Sequence, residues 1–316
     1  MRGTPRLLLR RLALASSLGA GVAAGLLHRP AVCRDAGSQA LSLESISSRV
    51  AALEVISRAQ PAVATATGAG GGAELIDGRK IAGDIRSEVK AATDVLKQEH
   101  GITPGLAVVL VGARTDSSTY VRMKKRAAAE VGFHSVDKNF SESVSQQQLL
   151  DTVRELNADP AVHAILVQLP LPSHIDESKV LEAIDVAKDV DGFSASNIGN
   201  MCLRGGKPPL AIPCTPAGCI ELLQRSGVPV KGQEVVVVGR SNIVGMPVAH
   251  LLQSMDATVT VCHSRTRDLP AHVSRADIVV AAVGAAEMIK GEWLKVGGAV
   301  ANHRCERAAA DDTRRA

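Results

Sequence analysis

Aromatic side chains are nearly missing from this chain: three Phe, one Trp and one Tyr occur in 316 residues. Base-stacking platforms of the kind that hold single-stranded nucleic acid are therefore not expected, and the single tyrosine, Tyr120, becomes a residue to follow. A basic excess is missing too, once the start of the chain is set apart. Residues 1–34 hold six arginines (Arg2, Arg6, Arg10, Arg11, Arg29 and Arg34) and no acid, which leaves 30 basic against 32 acidic residues in the remainder. A body without surplus positive charge argues against a nucleic-acid partner. The six cysteines (Cys33, Cys202, Cys214, Cys219, Cys262 and Cys305) form no C-x-x-C pair and no His/Cys cluster at zinc spacing, so a reducing compartment and no metal are expected. The uncharged stretch Leu12–Leu27 has 16 residues, is rich in Ala and Gly, and falls short of a bilayer span, so no membrane anchor is expected.

What is present is a chain that is 46% hydrophobic and 22% charged, long enough for about two domains. Residues 1–34, rich in Arg, Leu, Ala and Ser and free of acids, have the composition of an organelle transit peptide, for a mitochondrion first and a plastid second; a secretory signal is the lesser alternative. Leu43, Ile46, Val50 and Leu53 fall at helical spacing in a short amphipathic segment at 43–58, and Pro61–Gly72 is a low-complexity linker. The expected organisation is a leader and linker over 1–72, a catalytic domain over 73–214, a nucleotide-binding domain over 215–300 and an atypical tail over 301–316.

From residue 73 the pattern alternates helix and strand. Ile81, Ile85, Val89 and Leu96 predict a helix, Leu106–Val111 a strand, Ser117–Val131 a helix, Val136–Phe140 a strand, Val144–Asn157 a helix, Val162–Val167 a strand and Ser178–Ile184 a helix. Continuous apolar strands between amphipathic helices indicate a parallel α/β sheet covered on both faces. A turn-rich segment, Gly199–Pro216, is expected next. Then come helix Ala217–Arg225, strand Glu234–Val238, a glycine-containing loop over Gly239–Gly245, helix Met246–Ser254, strand Thr258–Cys262, helix Leu269–Arg275 and strand Ile278–Val283, which is the order of a Rossmann half.

Five segments fall where such sheets bind ligands. The loop Gly239–Gly245 joins a buried strand to a helix start, where free N–H groups and the helix dipole suit a pyrophosphate; Ser241 stands where the second glycine of G-x-G-x-x-G would be, so a ligand-free tight turn also fits. The next strand ends in Cys262-His263-Ser264-Arg265 with no acid to take a ribose 2′-hydroxyl, and Arg240, Ser241, Ser264 and Arg265 favour a 2′-phosphate, hence NADP; Arg265 equally fits a surface charge. Tyr120 and Lys124 lie four residues apart on one helical face, where a lysine beside a phenol in a cleft can move protons, although a surface lysine beside Lys125 and Arg126 has the same spacing. Gln168 directly follows an apolar strand and offers both a donor and an acceptor. Lys188–Phe193 (KDVDGF) carries two carboxylates that also suit an Asx-type turn.

Together, IDGRKIA, VGARTDSSTYVRMKKRAAAEVG, ILVQLPLP, KDVDGF, IPCTPAGCIELL, VVVVGRSNIVGMPVAHLL, ATVTVCHSRT and ADIVVAAVG, spread from Ile76 to Gly298, resemble the bifunctional methylenetetrahydrofolate dehydrogenase/cyclohydrolase family. The resemblance implies an α/β catalytic domain plus a Rossmann domain, oxidation of 5,10-methylenetetrahydrofolate with NADP, and hydrolysis of the methenyl product to 10-formyltetrahydrofolate. It implies catalytic roles for Lys124, Tyr120 and Gln168. Val167, Gln168 and Leu169 would line the folate site, Asp191 would hydrogen-bond the pterin, and Gly239, Arg240, Ser241 and Ser264 would bind NADP. A homodimer with a tetrahydrofolate substrate is expected, with no nucleic acid, membrane or metal. The motif match stops at Gly297-Gly298-Ala299-Val300, after which the family pattern of a strand, a G-I-N turn and a P-G-G-V-G-P loop is not found. The Rossmann sheet is therefore expected to be short. Two rival readings follow: an inactive truncated partner of a full-length homologue, or another two-domain Rossmann dehydrogenase.

Overall fold

The computed structural model describes residues 74–285 and 287–302; the leader, the segment at 43–58, the linker and the tail from residue 303 lie outside the described residues. Asp77 opens the first helix, α1 (Gly78–His100), by accepting the N–H groups of Arg79 and Lys80 at 3.0 Å each, and Gly101 closes it in the left-handed conformation at φ 63°. Between these caps Ile81, Ile85, Val89 and Leu96 form one buried stripe.

Strand β1 (Gly105–Val111) pairs in parallel with β2 (His134–Phe140) and with β3 (Ala164–Val167), giving the order β2-β1-β3. Helices α2 (Thr115–Glu130) and α3 (Gln146–Ala158) make the crossovers, and a short helix, α4 (Glu177–Glu182), follows β3. Alternate residues of β1 serve two cores: Leu106 and Val108 join the cluster that includes α1, while Ala107, Val109 and Val111 join Leu149 and Val153 of α3. A strand buried on both faces must be apolar at every position, which is why LAVVLV shows no alternation.

The second sheet repeats this plan. Strands β4 (Glu234–Val238), β5 (Thr258–Cys262), β6 (Ile278–Ala281) and β7 (Ala299–Asn302) are all parallel in the order β5-β4-β6-β7, with helix α7 (Gly245–Ser254) following β4 and a short helix, α8 (Leu269–Val273), following β5. Val235 and Val237 face one cluster; Val236 and Val238 face the other. Among the described residues the sheet is short of the six strands of a full Rossmann sheet, as expected, although it reaches past the expected domain end at residue 300. Four described strands are present, and β7 crosses the Val300/Ala301 boundary, pairing Ala301 with Val280 and Asn302 with Ala281.

The segment between the sheets also departs from expectation. Gly199–Pro216 is not all turn: α5 (Ala195–Cys202) is capped by the Ser194 hydroxyl, which accepts the Asn197 N–H at 3.3 Å, and α6 (Cys214–Arg225) begins three residues before Ala217. Pro216 reads as a breaker, yet in the first turn of α6 its missing N–H would have had no intrahelical partner. One apolar cluster runs through Val89 of α1, Ile220 and Leu223 of α6 and Val235 of β4, so α6 packs against both halves. Each such fully buried side chain contributes roughly 1.5–3 kcal/mol. At the end of α6, Arg225 donates to both carboxylate oxygens of Glu88 on α1 at 2.7 and 2.9 Å. No described helix is long and apolar enough to cross a membrane.

Candidate functional site

The carboxyl ends of β1 and β3 meet the N-terminus of α6 and the loop after β4 around a cavity of about 290 Å³. Its first wall comes from α2, where Tyr120 and Lys124 sit one turn apart, and from the residues leaving β3, namely Val167, Gln168 and Leu169. Asp191 and Phe193 supply a second side, with Cys214 and Thr215 of α6. Ile243 and Val244, from the loop that opens α7, complete the lining. A space this size is at the lower end of the range for small-molecule sites and takes a ring system rather than a polymer.

Lys124 is half-buried, and its Nζ donates to Gln168 Oε1 at 3.3 Å. That oxygen is aimed by the other end of the same amide, because Gln168 Nε2 donates to the Leu169 carbonyl at 2.8 Å. The Gln168 backbone N–H continues the sheet by donating to the Val109 carbonyl at 2.9 Å. Sheet register thus fixes the backbone, the amide fixes the oxygen, and the oxygen fixes the lysine.

The KDVDGF turn divides its charges by task. Lys188 is buried and its amine donates to the carbonyls of Leu156, Asn157 and Asp159 at 3.0, 2.7 and 2.8 Å, closing the open end of α3. Asp189 is buried and accepts backbone N–H groups from Gly192 and Ser194, so it carries the Asx-type turn. Asp191 faces the cavity. Burial raises its pKa, the Lys124 charge opposes that rise, and the Asp189 charge adds to it. Cys214 donates its S–H to Asp191 Oδ1 at 3.6 Å; burial and the Asp191 charge push this thiol up, so it stays a protonated donor.

At the second sheet the geometry is backbone work. Gly239 has φ 116°, and a Cβ on it would lie 2.2 Å from the Ala282 carbonyl oxygen; a Cβ on Gly245 would lie 2.3 Å from the carbonyl oxygen of Gly239. Only glycine fits at either end of this turn. Ser241 caps the helix start, its Oγ accepting the N–H groups of Val244 and Gly245 at 3.2 and 3.3 Å, which leaves the hydroxyl proton free to donate. The N–H groups of Arg240, Ser241, Asn242 and Ile243 have no acceptor among the described residues. Four consecutive open donors before a helix N-terminus form an anion cradle that fits a pyrophosphate. Gly239 N donates to the Cys262 carbonyl at 2.8 Å, so the loop after β5 leaves its strand beside this turn, with Ser264 and Arg265 exposed next to Arg240's loop.

The residues singled out in the sequence therefore fall in two neighbouring places: Tyr120, Lys124, Val167, Gln168, Leu169 and Asp191 around one cavity, and Gly239, Arg240, Ser241 and Ser264 on the adjoining loops. Sequence reasoning missed Phe193, Cys214, Thr215, Ile243 and Val244 as cavity residues. Ile243 alone carried a signal, being a large apolar residue inside a polar loop; in the structure it is 46% exposed.

A parallel-sheet α/β half and a Rossmann half that share one cavity, with a lysine, an amide and a carboxyl on one side and a nucleotide turn on the other, define a nucleotide-dependent oxidoreductase with acid–base chemistry in the same site. Two family models match in succession: the catalytic domain of tetrahydrofolate dehydrogenase/cyclohydrolase over residues 76–191, and the NAD(P)-binding domain of the same enzymes over residues 213–313. The chain belongs to this family. The second match continues beyond Val300, where the motif-by-motif likeness stops. Bifunctional protein FolD 2 of Arabidopsis thaliana is 57% identical over 228 residues, which are 72% of this chain and 76% of that protein. The chloroplastic bifunctional protein FolD 4 of the same plant is 52% identical, over 72% of this chain and 63% of its own length. Among solved structures, the Trypanosoma brucei methylenetetrahydrofolate dehydrogenase-cyclohydrolase complexed with NADP cofactor and inhibitor superposes with a TM-score of 0.70 at 43% identity, covering 72% of this chain and 77% of that one.

Proposed function

We propose that the single cavity between the two sheets runs both reactions of the family: oxidation of 5,10-methylenetetrahydrofolate to the methenyl form with NADP, and hydrolysis of that cation to 10-formyltetrahydrofolate. The observation that carries the reading is the pair Lys124 Nζ and Gln168 Oε1, 3.3 Å apart in a cavity that Asp191 and the nucleotide loop also line. Arg240, Ser241, Ser264 and the open N–H groups of the turn would hold NADP, which supplies the hydride acceptor when bound. Asp191 hydrogen-bonds the pterin, and Val167, Leu169 and Ile243 keep the ring between apolar walls. Water then attacks the methenyl carbon. Lys124 takes one proton from it and returns a proton to the ring nitrogen as that carbon–nitrogen bond breaks, so one of water's two protons stays on the nitrogen and the other leaves to solvent. Gln168 and Tyr120 hold the amine in place for this transfer.

The test is to supply the full chain with methylenetetrahydrofolate and either NADP or NAD and to separate the products. NADP-dependent appearance of 10-formyltetrahydrofolate, with NAD a poorer substitute, supports the reading. Methenyl product that accumulates and hydrolyses only at the solution rate would remove the second activity.

The leader composition supports import into a mitochondrion or, as the chloroplastic relative favours, a plastid. Residues 1–72 fused to a fluorescent protein would separate these destinations. A homodimer is proposed from the family resemblance and is tested by light scattering.

A further inference from the structure

The turn that presents Asp191 is tied by more than an Asx turn requires. Such a turn needs one carboxylate oxygen on one N–H. Here Asp189 Oδ1 accepts the Gly192 N–H at 2.9 Å, while Oδ2 accepts both the Ser194 N–H at 2.9 Å and the Asn197 side-chain amide at 3.0 Å. Asn197 is 1% exposed, and its Oδ1 accepts the N–H groups of Leu210 and Ala211 at 2.8 and 3.1 Å. Ala211 in turn lies against Gly192, where a Cβ would come within 2.9 Å of the Ala211 carbonyl group. Between the tied residues Asp189 and Gly192 stand only Val190, which is buried, and Asp191, which faces the cavity.

We propose that Asp189 and Asn197 are positioning residues for Asp191: the buried carboxylate–amide pair fixes the loop that presents Asp191 to the folate cavity. Its functional weight depends on Asp191 being the pterin ligand proposed above. A buried polar network in which these donors all have their acceptors is rigid, and one that is half-satisfied is costly, so the pair responds steeply to a mismatch. The ionisable groups around Asp191 are Lys124 and Tyr120 on α2, Cys214 on α6 and Asp189 on its own loop. Of these, Asp189 alone is both tied into the loop backbone and buried.

The test uses the full chain and five variants, each measured for folate KM, kcat, NADP affinity and thermal unfolding. Asp189→Asn sets an amide against the donors of Ser194 and Asn197. Asn197→Asp sets a second carboxylate against Asp189. The combination of both again opposes one amide to one carboxylate, but the amide nitrogen that replaces Oδ2 also faces the Ser194 N–H, which loses its acceptor. Asn197→Gln, which shifts the amide by one methylene, is the milder variant in case either single change prevents folding. Asp191→Ala is the reference. The single changes are expected to raise folate KM about tenfold with kcat within about threefold and NADP affinity unchanged, and the combination, with the Ser194 N–H still lacking its acceptor, to recover only part of that rise. A folded single variant with parental KM, or a combination in which the two single effects on KM simply multiply, overturns the positioning role. An unchanged KM in Asp191→Ala instead removes the reading of Asp191 as a folate ligand.

Discussion

At the carboxyl ends of β1 and β3 the chemistry hangs on side chains, and each is held by another group: Lys124 by Gln168, Gln168 by the Leu169 carbonyl, and Asp191 by the thiol of Cys214. At the carboxyl end of β4 it hangs on bare backbone, four open N–H groups between two glycines that no Cβ can replace. The difference follows from what each corner must do. Proton transfer needs groups whose charge changes, which only side chains supply. A pyrophosphate needs fixed donors at close range, which a glycine turn before a helix supplies with no titratable group at all. Side-chain changes should therefore damage the first corner chemically with the fold intact, and backbone changes should damage the second structurally.

The largest expected effect is on Lys124. Lys124→Met keeps the length and apolar stem of the side chain and removes the amine, so cyclohydrolase turnover should fall by about 10²–10⁴-fold, while folate binding through Gln168 and Asp191 largely persists. Equal hydrolysis of the methenyl substrate by variant and parent would dismantle the proton-transfer role. Loss of folding with it would show that this corner is not chemically separable from its scaffold.

Next is the backbone corner. Gly239→Ala adds a Cβ 2.2 Å from the Ala282 carbonyl at a φ of 116°, a conformation that alone costs an L-residue about 1–3 kcal/mol before the clash is counted. The melting temperature should drop by several degrees and NADP affinity should fall with it, whereas nucleotide-free hydrolysis of the methenyl substrate should survive below the new midpoint. Retention of parental NADP affinity and melting temperature would mean that the turn has room its geometry denies.

Arg240→Ala tests the same corner for the charged group on the turn itself. Charge-assisted contacts to a 2′-phosphate are worth about 1.5–3 kcal/mol, so the preference for NADP over NAD should narrow by roughly tenfold or more, through weaker NADP binding and not through stronger NAD binding. Titration of both nucleotides checks this. A preference unchanged by the substitution would move the selectivity to Ser264 and Arg265.

How well each corner could be read in the sequence follows from the same contrast. Strands β4 and β5 begin and end where the sequence predicts, at Glu234–Val238 and Thr258–Cys262; in β4 the run Val235–Val238 is apolar throughout because the strand is buried on both faces, and Gly239 marks its exit. Tyr120 and Lys124 were recognisable as a same-face pair, but spacing says nothing about which way the face points. Only the pairing of β1 with β3, which brings Gln168 alongside, turns it to the cavity. Residue type and spacing do not tell Asp189 from Asp191, which the family resemblance alone separated: both are aspartates in one turn, and the division between them is made by Asn197, which donates its side-chain amide to Asp189 from the following helix. Helix α5 was hidden because Ser194 caps it within a stretch of glycines, prolines and polar residues that otherwise reads as loop.

The smallest expected effect separates burial from charge pairing at Asp191. Burial raises the proton affinity of this carboxyl above its ordinary value of 3.8, with the Lys124 charge pulling the other way. In the window between 3.8 and the raised folded value the folded chain holds more protons than the unfolded chain, so this group makes stability fall as pH climbs through that window, and above it the cost is constant. Asp191→Asn removes the ionisation and keeps an oxygen for the Cys214 S–H. Its melting temperature should therefore exceed that of the parent, and the excess should grow as pH climbs above 3.8 and level off once the raised folded value is passed. Unfolding followed by fluorescence of Trp293 or by circular dichroism at a series of pH values gives the difference directly. An excess that shrinks with rising pH would show that the attraction of Lys124 outweighs burial and that Asp191 is held as a carboxylate, which would make the cavity an ion-pair site and not one that favours a neutral acid.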